Sequence, residues 1–341
     1  MCIRDRNKSE DSFNEISISE AMTKIKNKID ELDNPNVKFL LGSSSTNEEY
    51  FVINEIGNYL NKDKFLSRDS SNIYFGDDLL FEGYFGDQYS QAKLEDLDNS
   101  ETIVVWAEDI KDNLPILYLR IKKAVKNGSK LIVFGHTNTS IAGLADFYFG
   151  ADIVSNKFEL IRNPNEIEDL KNNIEGKKVT VIAGKSTVFQ KKESLDKLIN
   201  FLNEKSELQV FNAFSKGNTF GALQNIDEVK GLNEFCNEFD TNAKNIVFTI
   251  GVNPVNSSFF GQKIKEKLIA SDFVISLDLF VNETTELADL ILPTTSLGEK
   301  EGTVTNMEMR VMKQNKICLL YTSPSPRDAT LSRMPSSAWK K

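Results

Sequence analysis

The sequence predicts an α/β protein built from two tandem open parallel sheets. Three observations carry that prediction. From Val37 onward, short β-branched runs alternate with segments whose apolar residues recur at helical spacing, the pattern of strands joined by crossover helices. The series starts twice, the second time after RNPNEIEDL. Once the compositionally foreign ends are set aside, roughly 310 residues remain, a length that suits two cores better than one.

Taken in order, Met22, Ile25 and Ile29 mark a single leading helix. VKFLL (Val37 to Leu41) is the first strand, and Thr46 and Glu49 behind it have capping-box spacing for a helix whose apolar face is Val52, Ile56, Tyr59 and Leu60. TIVVWA (Thr102 to Ala107) is a strand, Leu114, Leu117, Ile121 and Val125 mark a helix, and LIVFG (Leu131 to Gly135) closes that unit. In the second series VTVIAG (Val179 to Gly184) is a strand, and Leu195, Leu198, Ile199 and Leu202 fall on one helical face. The strand LQVFNA, a loop SKGNTFGALQN, the strand IVFTIG (Ile246 to Gly251), a helix through Phe260, Ile264 and Leu268, and the strand FVISLD complete it. The expected boundaries are a leading segment over 7–36, a first α/β subdomain over 37–158 and a second over 159–317.

The ends differ from the interior. Of the eight arginines, Arg4, Arg6, Arg327 and Arg333 lie there, as do Pro324, Pro326 and Pro335 of the eight prolines, whereas the interior uses lysine and asparagine. MCIRDR and CLLYTSPSPRDATLSRMPSSA resemble translated sequencing-adapter sequence, so Met1–Arg6 and Cys318–Lys341 are expected to be artefact with few contacts to either sheet. Without their charged residues the formal charge moves from −9 to −13, because Arg4, Arg6, Arg327, Arg333, Lys340 and Lys341 leave with Asp5 and Asp328. So acidic a chain is a poor ligand for nucleic acid or an anionic membrane, and Lys122, Lys123, Lys126 and Lys130 read as the solvated face and last turn of one helix.

Cys2 and Cys318 fall in the foreign ends, which leaves Cys236 as the one interior cysteine beside the single histidine, His136. An iron–sulfur cluster or a structural zinc needs about four such ligands, so no metal site is expected. No disulfide can form either, which makes a reducing compartment the default. No apolar run approaches the ~20 residues that cross a bilayer.

Ligands of open α/β sheets sit beyond the carboxyl ends of the strands. Four stretches qualify: WAEDIKDN, GHTNTS, GVNPVNSS and NETTELADLILPTTSLGEKEGTVTNMEMRV. Gly251 to Pro254 reads equally as a plain turn, and His136 reads as a loop histidine. Glu283 and Glu286 are spaced to share a helical face, without a matched partner that would make them an acid/base pair. The last stretch is notable because the apolar run Leu287 to Leu292 stops at Pro293 and gives way to a long polar loop, the kind that holds something or has lost it.

Several blocks together resemble a family. SISEAM, STNEEYFVINEI, LPILYLRIKKAVKNGSKLIVFG, GNTFGAL, GVNP and FVNETTELADLILPTTSLGEKEGTVTNMEMRV occur in the order seen in the molybdopterin oxidoreductase superfamily, across nearly the whole trimmed chain. The resemblance implies two Rossmann-like subdomains of the molybdopterin oxidoreductase fold. Within the superfamily, AEDIKDNLPILYLRIK and NAFSKGNTFGAL look most like the G subunit of NADH-quinone oxidoreductase, a part of complex I that resembles a relative without the cofactor. Two departures point the same way. The stretch from Tyr59 to Ser100 has no cysteine and no metal-ligand loop, and Gly135, His136 and Thr137 stand where the family has an Asp-x-Arg that grips guanine.

The resemblance therefore implies no catalytic residue, no metal and no bound cofactor, with Gly251, Asn253, Pro254, Glu283, Thr284, Gly302, Thr303 and Asn306 as vestigial cleft positions. Thr303, Thr305 and Asn306 are expected to satisfy backbone groups that a cofactor once met. Arg310, with Glu299, Glu301 and Glu308 around it, makes that loop poor at holding phosphate. The implied partners are other subunits of the complex I peripheral arm. The implied location is cytoplasmic, peripheral to the inner membrane through the complex, without membrane insertion or nucleic acid. Iron–sulfur clusters belong to a missing upstream part, and the fragment is expected to have no activity alone. The alternative implied by the same resemblance is a fragment of a formate dehydrogenase-like enzyme that binds molybdopterin guanine dinucleotide.

Overall fold

The computed structural model describes residues 6–9, 12–32, 35–60, 72–75, 90–107, 110–135, 140–152, 157–160, 171–184, 192–214, 216–258 and 260–317. Strands β1 (Arg6–Ser9) and β2 (Ser12–Glu15) precede helix α1 (Ile18–Glu31), and β3 (Asn36–Leu41), α2 (Asn47–Leu60) and β4 (Ile73–Phe75) form the first parallel unit. Then come β5 (Ser90–Gln91), β6 (Thr102–Trp106), α3 (Ile110–Asn113), α4 (Pro115–Lys126), β7 (Lys130–Gly135), β8 (Phe147–Asp152), β9 (Lys157–Leu160), β10 (Lys178–Gly184), α5 (Lys192–Lys205) and β11 (Glu207–Ala213). The chain continues through α6 (Thr219–Asn225), α7 (Leu232–Glu238), β12 (Asn245–Ile250), α8 (Pro254–Ser257), α9 (Gly261–Ile269), β13 (Phe273–Asp278) and β14 (Leu290–Pro293). It reaches a hairpin, β15 (Gly302–Thr305) and β16 (Val311–Gln314).

Two sheets result, as the strand series predicts. The first runs β2-β1-β14-β13-β12-β3-β4 and the second β5-β11-β10-β6-β7-β8-β9. Both are parallel except where β1 meets β2 and β14, and where β8 meets β9. Successive strand residues serve opposite faces: Ile103 and Val105 join one core cluster of the second sheet, Val104 and Trp106 the other. The first sheet divides likewise, with Leu40 on one face and Phe39 and Leu41 on the other. Burial on both faces explains why the strands read as unbroken apolar runs.

The sheets are not consecutive in the chain. The expected division at 158/159 falls inside β9, and beyond it β10 pairs with β6 and β11 with β5, both of which lie before it. The first sheet is completed by β12, whose Ile246 lies opposite Val37 of β3. The second sheet is thus inserted between β4 and β12. Hydrophobic periodicity marks a strand but says nothing about its neighbour, and here the neighbours lie far apart in sequence.

Three local expectations also change. On α2 most of the predicted face is outside: Val52 is 52% exposed and Tyr59 78%, and Ile56 is exposed as well, while Tyr50, Ile53, Asn54 and Gly57 are buried and of the predicted residues Leu60 packs on the core. Asn54 pays for its burial through paired carboxamide bonds with Asp227, at 3.1 Å to the carboxylate and 3.3 Å from the backbone N–H. At Gly57 a Cβ would stand in van der Waals contact with Ile73 and Phe39, so the helix lies close to the sheet. On α1, Met22 is exposed and Ala21 is buried instead. The predicted loop SKGNTFGALQN contains α6. Arg6, placed in the foreign segment, pairs with Ile291 in β1; Met1–Asp5 and Cys318–Lys341 lie outside the described residues. No helix of the described residues is long and apolar enough to cross a membrane.

Candidate functional site

Strand order reverses between β3 and β12. From β3 the chain goes outward to β4, and from β12 it goes the other way to β13 and β14. The crevice beyond the carboxyl ends of such a strand pair is where open α/β sheets bind ligands. Its walls approach closely: Gly42 donates to Ile250 O at 2.9 Å, and a Cβ on Gly42 would lie 2.1 Å from Gly251 O. Gly251 has φ 59, a left-handed backbone that glycine adopts without strain. A cleft of about 430 Å³ opens here, with Ser43, Ser44 and Ser45 on one side and Lys216, Gly251 and Gln314 on others.

Below the cleft the polar side chains close on one another. Asn218, 2% exposed, donates to Ser45 O at 2.7 Å and to Asn47 Oδ1 at 3.1 Å, and its Oδ1 accepts the Thr305 N–H at 2.7 Å. Asn47 Nδ2 donates to the hydroxyls of Thr303 and Thr305, both at 3.1 Å. Gly221 makes the cluster possible, because a Cβ there would lie 2.0 Å from Asn47 Oδ1 and 2.2 Å from Asn218 Oδ1. At the start of α2, Glu49 and Thr46 form the expected capping box, with bonds of 2.8 and 3.2 Å. Glu48 accepts from Thr303 N and Thr303 Oγ1, both at 2.8 Å. Burial works to raise the Glu48 carboxyl, yet these donors outweigh it and hold the group below the usual carboxylate range.

The predicted positions divide into two groups. Gly251, Gly302 and Thr303 border the cleft or its supporting network. Asn253, Glu283 and Thr284 form a second cluster beside Pro254, the first residue of α8: Asn253 Nδ2 donates to Glu283 at 2.7 Å and Thr284 Oγ1 donates to Asn253 Oδ1 at 2.6 Å. The carboxamides of Asn253 and Asn256 keep the Glu283 carboxyl below its ordinary range. Asn306 does satisfy backbone groups, accepting from Glu308 N at 3.0 Å and Arg310 N at 2.9 Å. The Thr303 and Thr305 hydroxyls instead meet the Asn47 side chain. Cys236 is buried on α7 within the core, and burial pushes its thiol up. His136 lies outside the described residues. Sequence reasoning passed over Asn47, Glu48, Asn218 and Gly221, although they sit in the blocks STNEE and GNTFGAL; a strand-to-helix turn rich in Ser, Thr and Asn was the available signal.

A two-lobed α/β body with a polar crevice at a strand-order reversal is the build of a ligand-binding α/β protein. The molybdopterin oxidoreductase family pattern matches residues 2–320, and the chain belongs to that family. It is 40% identical over 74 residues to the alpha subunit of the F420-dependent formate dehydrogenase of Methanocaldococcus jannaschii, covering 21% of this chain and 11% of that protein. Over 89 residues it is 29% identical to the G 2 subunit of the NADH-quinone oxidoreductase of Rhizobium meliloti, covering 26% of this chain and 10% of that one. The matched segments thus span about a tenth of these curated relatives. Acetylene hydratase from Pelobacter acetylenicus shares the fold, with a TM-score of 0.58 at 14% identity over 92% of this chain and 58% of its own.

The family implies a molybdopterin dinucleotide, whose pyrophosphate needs cations or open helix N-terminal N–H groups. The described residues fit it poorly. The α2 N-terminus already holds its own carboxylates, Glu48 and Glu49. Lys300 pairs with Glu49 at 3.0 Å, Arg310 with Glu308 at 3.5 Å and Lys313 with Glu301 at 3.6 Å. Among the described lining residues only Lys216 brings a positive charge to the cleft.

Proposed function

We propose that this chain is part of a protein like the G subunit of NADH-quinone oxidoreductase, a molybdopterin-like domain that binds no cofactor and scaffolds the peripheral arm of complex I. The observation that carries this reading is how the polar groups beside the cleft are already engaged: the carboxamides and hydroxyls of Asn47, Asn218, Thr303 and Thr305 bond one another, and Lys300, Arg310 and Lys313 pair with carboxylates. The relative from Rhizobium meliloti supports it. On this reading the domain has no catalytic residue and is inactive alone, its partners are other subunits of the arm, and it sits in the cytoplasm, peripheral to the inner membrane through the complex. Iron–sulfur clusters belong to a cysteine-rich upstream region of the intact protein.

A second reading, a fragment of a formate dehydrogenase-like enzyme gripping molybdopterin guanine dinucleotide, is favoured by the archaeal formate dehydrogenase relative and by a cleft at the strand-order reversal. One experiment separates the two. The protein is purified from a host that makes the cofactor and examined by elemental analysis and for nucleotide released on denaturation. The scaffold reading expects neither metal nor nucleotide. Molybdenum or tungsten near one per chain, with guanine nucleotide, replaces it with the second.

A further inference from the structure

The polar hairpin that follows Pro293 is tied to both sheets. At its base, Thr303 and Thr305 bond Asn47, Glu48 and Asn218, all packed on the first sheet. At its tip, Glu308 Oε1 accepts the Leu94 N–H at 2.9 Å and Met307 O accepts Gln91 Nε2 at 3.2 Å. Gln91 belongs to β5 of the second sheet and is held there by Asn212 of β11 at 2.8 Å. The Met307 side chain packs against the core cluster of the second sheet that includes Leu97 and Phe211. Glu308 is 13% exposed, so its bond to Leu94 is shielded from water. The tip is also held in an uncommon conformation: Met309 has φ 58, where a side chain other than glycine is strained. That turn directs Met307 and Glu308 at the second sheet.

The chain itself passes between the sheets twice, from Phe75 to Ser90 and from Ala213 to Thr219. Both passages attach to neighbouring strands, β5 and β11, at one edge of the second sheet. Two covalent links along one edge leave a hinge. We infer that the β15–β16 hairpin is the bolt of this hinge, locking the two sheets into one body through Met307 and Glu308. The loop thus holds the second sheet, whether or not the cleft holds a ligand, and the inference does not depend on the scaffold reading.

The test uses the full chain with Cys2, Cys236 and Cys318 replaced by alanine and spin labels introduced at exposed Lys126 of α4 and Lys265 of α9, one on each sheet's outer helices. Met307→Ala/Glu308→Ala is compared with the parent and with Glu301→Ala, whose side chain meets only the hairpin's own Lys313 among the described residues. The double variant is expected to broaden the label-to-label distance distribution and to speed exchange of the Leu94 amide about tenfold, the loss of one charge-assisted bond. Protection at Thr303 and Thr305 is expected to persist, and Glu301→Ala is expected to match the parent. An unchanged distance distribution in a variant whose Leu94 amide is freed overturns the inference, as does loss of protection in both sheets together. Should the double variant not fold, Glu308→Ala alone, which leaves Met307 in the core, carries the same comparison.

Discussion

Gly221→Ala sets two physical effects against each other with opposite signs. In a helix interior, alanine is favoured over glycine by about 1 kcal/mol, so propensity alone predicts a more stable protein. The packing around α6 predicts the reverse. The new methyl carbon would stand 2.0 Å from Asn47 Oδ1 and 2.2 Å from Asn218 Oδ1, more than an ångström inside contact distance, so both carboxamides must move. Those two side chains make five hydrogen bonds, to Ser45 O, to each other, to the Thr303 and Thr305 hydroxyls and from Thr305 N. Losing two to four of them at about 1 kcal/mol each, less the propensity gain, leaves a net cost of about 1–3 kcal/mol. For a body of this size that lowers the melting temperature by very roughly 2–10 °C. The assay is thermal melting by circular dichroism with hydrogen exchange read at Thr305, whose amide loses its Asn218 acceptor. A variant that melts at or above the parent with Thr305 still protected refutes the buried carboxamide cluster.

Gly42→Ala forces a Cβ to 2.1 Å from the Gly251 carbonyl, a backbone atom that cannot rotate away; a loss of about 3 kcal/mol or more in urea denaturation is expected, and a fully stable variant contradicts the close approach of β3 and β12. Glu48 has a folded-state pKa held below its ordinary value, so its contribution is present above the unfolded pKa and is lost as pH falls through the depressed one. The Thr303 amide is therefore expected to lose protection on acidification. Glu48→Gln should flatten that dependence, and equal slopes in the two proteins count against it. Met309→Gly relieves a left-handed side chain but adds chain entropy, two effects of about 1 kcal/mol each that nearly cancel. Calorimetry should show little change for it and a loss for Met309→Val, whose branched side chain tolerates φ 58 less well.

How much was legible beforehand differs from element to element. β6, α4, β7, β10, β12 and β13 stand where apolar runs and helical spacing place them, because strands buried on both faces leave unbroken apolar runs and helices buried on one face leave their period in the sequence. The capping box at Thr46 and Glu49 was readable for the same reason, its partners being three residues apart. The face of α2 was not. Its exposed Val52, Ile56 and Tyr59 look like core, and its buried Asn47 and Asn54 look like surface, because their partners Thr303, Thr305, Asn218 and Asp227 come from remote parts of the chain. Half of the predicted cleft positions cluster around Glu283 instead, and no local spacing distinguishes the two groups.

The sequence by itself determined the main apolar strands and amphipathic helices, the acidic character and the family, since each depends on residue types and near-neighbour spacing. Only the tertiary structure decided that β12 completes the sheet begun by β3, that the second sheet is an insertion, and that the polar loop ties one sheet to the other. Those are pairings between residues far apart in the chain, fixed by which burial and hydrogen bonding can be satisfied at once, and no single segment carries that information.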